Sequence, residues 1–168
     1  MSCSEAASEA GAAAAPPPAS HVQVLLSSSP LLLEECVAFV SLPEAGAVVS
    51  FLGLTRTPGK GGQPVQHLLF EAYEGMARTG LAAIAQEAAQ RFQLSRVCIA
   101  HRLGVVPLGQ ASLCVCASSP HRAPALEALG WIVDSVKARA TIFKKEVYLD
   151  GSGQWMQNCC AGAGGGGH

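Results

Sequence analysis

Residues 118–146 read SSPHRAPALEALGWIVDSVKARATIFKKE, and the changes of character within this stretch decide what fold the chain can make. Ser118, Ser119 and Pro120 close an apolar run, Ala111 to Ala117, and carry a helix-start signal. The spacing of Leu126, Leu129, Gly130, Val133 and Val136 then predicts a helix from Pro120 to about Ala138. Ser119 is its expected N-cap and those five residues its inner face. From Thr141 to Leu149 the pattern becomes extended again, so strand, long helix and strand follow in succession.

Working outward, Val22 to Leu26 reads as a first strand and Leu31 to Val40 as a short helix. Gly46 to Leu52 and Val65 to Tyr73 are β-branched or apolar strands. The loop between them holds Gly53, Pro58, Gly59, Gly61, Gly62 and Pro64, and an antiparallel hairpin is its simplest product. Leu81, Ile84, Ala85, Ala88 and Phe92 mark a second long helix over Met76 to Phe92. Val97 to His101 is a further strand. Hairpins with two main helices imply an α+β fold built on a mostly antiparallel sheet. Residues 1–20, rich in alanine and proline, read as a disordered lead-in, and 159–168 as a flexible glycine-rich tail. One domain, 21–158, lies between.

Eleven Lys and Arg against twelve Asp and Glu leave no general basic field for a nucleic-acid backbone, so any cationic site must be local. Seven cysteines, an odd number without a C-x-x-C pair or ligand spacing, suggest neither a disulfide framework nor a metal site. Cys114 and Cys116 share one strand face and read as small buried hydrophobes. No run approaches the roughly 20 apolar residues of a membrane span. Glu5 and Glu9 stand where a secretory signal carries positive charge, so the cytosol is the expected compartment.

The candidate chemistry is cationic. His121 and Arg122 in a first helical turn oppose the helix dipole, which a bound anion would reverse; an ordinary solvated helix start is the alternative. In the last strand Lys144 and Glu146 share one face and Lys145 points away. Lys144 is the candidate catalytic lysine, with Glu146 orienting it; charge protecting a sheet edge is the competing account. Lys137 either answers the negative helix end or supplies a second amine near Lys144, where repulsion would lower one pKa. Arg56 follows a strand on a glycine-rich loop whose Gly59 to Gly62 lacks the P-loop pattern. On an unbroken helix His121 and Lys137 would stand roughly 24 Å apart, too far for one small substrate. Either the helix breaks or a second copy completes the site, and a dimer with composite sites is the favoured expectation.

These segments together resemble the catalytic (large) subunit of molybdopterin synthase. The resemblance is carried by Gly46 to Arg56, Leu69-Phe70-Glu71-Ala72-Tyr73 with Met76, His101-Arg102-Leu103-Gly104, Ser118 to Arg122, Glu127-Ala128, Asp134, Lys137 and Ile142 to Glu146. It implies an α/β-hammerhead-like architecture and a sulfurtransferase of molybdenum cofactor biosynthesis. In that family sulfur arrives as a thiocarboxylate on the C-terminal glycine of a small ubiquitin-like subunit. It is transferred to cyclic pyranopterin monophosphate (precursor Z) to form the molybdopterin dithiolene. The resemblance further implies a heterotetramer around a central dimer of large subunits, with no permanently bound cofactor or metal. Lys137 and Lys144 correspond to the catalytic lysines; Arg56, His121, Arg122, Lys145 and Glu146, with both lysines, correspond to substrate-binding positions. Thr141-Ile142-Phe143-Lys144 departs from the family's usual tryptophan before the lysine. The alternative is a non-catalytic dimeric module that binds a phosphorylated metabolite or a ubiquitin-like carrier tail.

Overall fold

The computed structural model describes residues 21–156, so the expected disordered lead-in and flexible tail lie outside the described residues. Eight strands and three helices follow in the order β1 (Val22–Ser27), α1 (Leu33–Val40), β2 (Ala47–Leu54), β3 (Val65–Ala72), α2 (Glu74–Arg91), β4 (Arg96–Arg102). The chain continues with β5 (Gly104–Pro107), β6 (Ala111–Ser119), α3 (Arg122–Arg139), β7 (Ile142–Tyr148) and β8 (Gly153–Met156). The class is α+β, with one parallel pairing, β1 with β4, among antiparallel ones.

Two four-stranded sheets form, ordered β1-β4-β6-β2 and β5-β3-β7-β8. The expected hairpin between the second and third strands therefore does not exist. β2 pairs with β6 and β3 with β5 and β7, so the glycine- and proline-rich segment carries the chain from one sheet to the other. Gly104 makes the other crossing: its φ of +78° turns the chain from the end of β4 into β5 of the second sheet. The short strands β5 and β8 are additions to the sequence reading.

In the first sheet, alternation sends Val97, Ile99, Leu113, Val115 and Ala117 to one face, where α2 and α3 cover them in the main core. Cys98, Ala100, Cys114 and Cys116 line the opposite face beneath α1, with Cys36 and Val40 from that helix. The expected apolar face of α2 is the observed one. That of α3 is observed in part: Val133 and Val136 are buried and Leu129 packs against the core, but Leu126 is 57% exposed, Gly130 is exposed, and Ala125, Ala128 and Ile132 complete the inner line. Alanines at these positions let α3 approach the sheet and α2 closely, which larger side chains would prevent.

Candidate functional site

β6 ends at Ser119 and α3 begins at Arg122, two residues later than the spacing suggests. His121 holds the N-cap position with extended backbone (φ −127°, ψ 148°). Ser119 does not cap the helix; its hydroxyl donates to the carbonyl of His121. His121 and Arg122 are both exposed, and the first turn of α3 contains no acidic residue. The helix then runs 18 residues without interruption, and its last turn carries Lys137 and Arg139. Arg139 pairs with Glu87 at 2.8 Å, while Lys137 is exposed to solvent. Within one chain, His121 and Arg122 therefore lie at the opposite end of α3 from Lys137, about 24 Å away along the axis.

A two-residue connection, Ala140 and Thr141, leads from α3 into β7. Along β7 the residues Ile142, Glu146 and Tyr148 are buried and Phe143 and Leu149 beyond it are exposed, so Lys144 shares the inward side and is half-buried. It stands opposite Phe70 of β3 and Met156 of β8. Lys145 takes the other face, its Nζ 5.8 Å from the centre of the Trp155 ring. β7 lies between β3 and β8, so these lysines do not sit on a sheet edge, and edge protection does not account for them.

Glu146 is 4% exposed. Tyr148 donates its hydroxyl to Glu146 Oε2 at 3.3 Å, and burial together with that carboxylate's charge raises the phenol's pKa. The same carboxylate abuts Gly59 in the loop between β2 and β3: a Cβ on Gly59 would overlap Oε2 and lie 2.8 Å from Val65 Cγ2. That loop is tied to itself. Gly59 N–H donates to Gln63 O and Gly62 N–H to Gly59 O, each at 3.0 Å, and Val65 N–H donates to Thr57 Oγ1 at 3.2 Å. Arg56, exposed, donates from Nη1 to Pro58 O at 3.0 Å. Arg56 thus belongs to a segment seated on the carboxylate two positions beyond Lys144, although β2 itself lies in the other sheet.

Several residues beside this arrangement stand outside the expected site. Arg102, 9% exposed, donates from Nη1 to Gln110 Oε1 at 2.5 Å, and its Nε is buried without a hydrogen-bond partner. Gln110 O accepts from Thr55 N–H at 2.9 Å, so this pair buttresses the residue just before Arg56. Tyr148 carried a usable signal, since strand alternation puts it on the face of Lys144 and Glu146. Gln110 and Gly59 carried none, because each matters only through a contact distant in sequence. Among the described residues no group of His, Cys, Asp and Glu is arranged to hold a metal ion, and no helix is long and apolar enough to cross a membrane.

Comparison with known proteins agrees with the fold and with the motifs. The family model described as MoaE protein matches residues 26–139, a span that holds Arg56, His121, Arg122 and Lys137 but stops before Lys144. A relative from Oryza sativa subsp. indica, described as a molybdopterin synthase catalytic subunit, is 50% identical over 114 residues, which is 68% of this chain. That match spans 58% of the rice protein, less than two thirds of its length. The crystal structure of molybdopterin synthase from Staphylococcus aureus superposes with a TM-score of 0.74 at 29% identity, over 82% of this chain and 97% of the other. A chain from the complex of subunits 1 and 2 of molybdopterin-converting factor from Helicobacter pylori 26695 shares the fold. Its TM-score is 0.60 at 21% identity, over 84% of this chain and 92% of that one.

Proposed function

The chain belongs to the MoaE protein family, and on that premise we propose that it is the catalytic subunit of a molybdopterin synthase. In this reading it transfers sulfur from the C-terminal thiocarboxylate of a small ubiquitin-like subunit to cyclic pyranopterin monophosphate, giving the molybdopterin dithiolene in the cytosol. The observation that carries it is the seating of the Arg56 loop on Glu146, next to Lys144 on the same strand. In this reading a guanidinium suited to a phosphate and an amine suited to a carbonyl serve one site on that side of the second sheet.

The chemistry asked of the lysines is modest. The ammonium of Lys144, half-buried, attracts the thiocarboxylate as its sulfur bonds to the pterin. It stabilises negative charge on the acyl oxygen when water then adds to the acyl carbon, so that the C–S bond breaks and the carrier leaves as a carboxylate. A covalent adduct between the lysine amine and that acyl carbon is the other route open to the same residue. Lys137, at the helix end before β7, adds positive charge to the approach. His121 and Arg122 come from a second copy of the chain, because an 18-residue helix keeps a chain's own pair away from its own lysines. The two-subunit complex described for the Helicobacter pylori protein supports the expectation of a small-subunit partner.

The decisive experiment mixes the purified chain with a thiocarboxylated carrier and cyclic pyranopterin monophosphate and assays the dithiolene product. Product formation that depends on this chain supports the assignment, and its absence with active carrier and intact substrate removes it.

A further inference from the structure

We propose that Tyr148 and Gly59 are positioning residues that hold Arg56 in place through the buried carboxylate of Glu146. Glu146 is nearly closed off from solvent, so its carboxylate acts on the protein around it. One of its oxygens, Oε2, receives the Tyr148 hydroxyl at 3.3 Å and lies against the backbone of Gly59. Glycine lets the two approach this closely, since a Cβ at position 59 would displace that oxygen and Val65 Cγ2. The next residue back, Pro58, offers the carbonyl that binds the Arg56 guanidinium at 3.0 Å.

A displacement at Gly59 therefore moves the Pro58 carbonyl, and the guanidinium with it. Tyr148 keeps the carboxylate turned toward the loop, since rotation away would leave both the hydroxyl and a buried charge with one partner fewer. Glu146 thus links β7, which carries Lys144, to the loop that carries Arg56. The spacing between the amine and the guanidinium is set by this linkage and not by either strand alone. The inference rests on the reading of Arg56 as the anion-holding residue, whereas the loop restraint itself stands on geometry alone.

The test compares Tyr148→Phe and Gly59→Ala with the unmodified chain, each in complex with the carrier. Trypsin cleavage after Lys60 reports the restraint of the loop directly and needs no turnover. We expect severalfold faster cleavage in both variants at temperatures well below melting, alongside a melting temperature lowered by several degrees for the lost buried contact. With the thiocarboxylated carrier saturating, the KM for the pyranopterin phosphate should rise roughly fivefold, about one hydrogen bond, with kcat changed by less than about twofold. Tyr148→Phe preserves the ring and decides the matter if Gly59→Ala does not fold. Cleavage at the unmodified rate, or a fall in kcat with KM unmoved, overturns the positioning role. If the unmodified complex makes no dithiolene, the proposed function fails and the cleavage rates alone judge the restraint.

Discussion

His101 meets Phe70 edge to face, with ring centroids 5.0 Å apart and planes at 72°. This contact joins β4 of the first sheet to β3 of the second, just before the chain crosses between them at Gly104. The imidazole is 6% exposed, and its Nδ1 lies 2.9 Å from the carbonyl of Arg102. Burial pushes its pKa down to about 4, an effect that the carbonyl only partly opposes. The neutral ring is thus the form that packs against Phe70.

The sign of the pH dependence follows. The unfolded chain binds a proton on this histidine below about pH 6.5, whereas the folded chain resists protonation down to about 4. Its full contribution is present above 6.5, is lost as pH falls toward 4, and does not change further below that. The expected loss is about 3 kcal/mol, since each tenfold difference in proton affinity between the two states is worth roughly 1.4 kcal/mol. Urea titrations from pH 7.5 to 4 should show that much more destabilisation in the unmodified chain than in His101→Gln. Parallel curves would contradict it.

Lys144→Ala should abolish dithiolene formation while leaving carrier binding intact, with kcat falling by about two to three orders of magnitude. Lys137→Ala, whose side chain is exposed at the helix end, should fall less and should mainly raise the concentration of carrier needed for half-maximal rate. Single-turnover transfer and carrier titration separate these effects. Retention of near-normal transfer by Lys144→Ala would remove that residue from the chemistry.

The unbroken length of α3 makes the site's composition testable by mixing. His121→Ala and Lys144→Ala homodimers should both be inactive, since every site lacks one partner. In a mixed dimer one site receives both intact residues and the other receives neither. A random mixture of equal amounts should therefore regain about a quarter of full activity, half its dimers being mixed and half their sites intact. No recovery after verified subunit exchange would show that His121 and Lys144 are not partners across a dimer.

Cys36, Cys98, Cys114 and Cys116 form a buried group beneath α1, each at most 1% exposed, with the sulfurs of Cys114 and Cys116 3.9 Å apart. The neighbouring Cys36 sulfur and burial raise the pKa of the Cys98 thiol well above its ordinary range. In a chain carrying serine at positions 3, 159 and 160, a thiol reagent should label these four only on unfolding. Native-state labelling should be slower than for a free thiol by at least about a thousandfold. Immediate labelling of the folded chain would show that α1 opens on its own.

Local signals in the sequence determined the longer elements, though not the short strands β5 and β8. Apolar spacing is a property of each helix alone, so Leu81, Ile84, Ala85 and Ala88 marked the buried face of α2 correctly. The two-residue period in the same way put Lys144 with Glu146 and apart from Lys145. Helical spacing held for Leu129, Val133 and Val136 of α3 but not for Leu126, which faces solvent while small alanines line the contact, because apolar spacing weights hydrophobicity and close packing against α2 rewards small size.

Which strands become neighbours was decided only by the tertiary structure. A loop rich in glycine and proline is equally able to close a hairpin or to span two sheets. Here β2 zips onto β6, a nine-residue strand buried along nearly its whole length, and the loop is left to cross. That crossing lays Gly59 on Glu146 and brings Arg56 beside the strand of Lys144, a proximity that no sequence spacing encodes. The candidate residues were thus legible one by one from local pattern, whereas the seating of the Arg56 loop on Glu146 depends on a contact between distant segments, which only the packed fold defines.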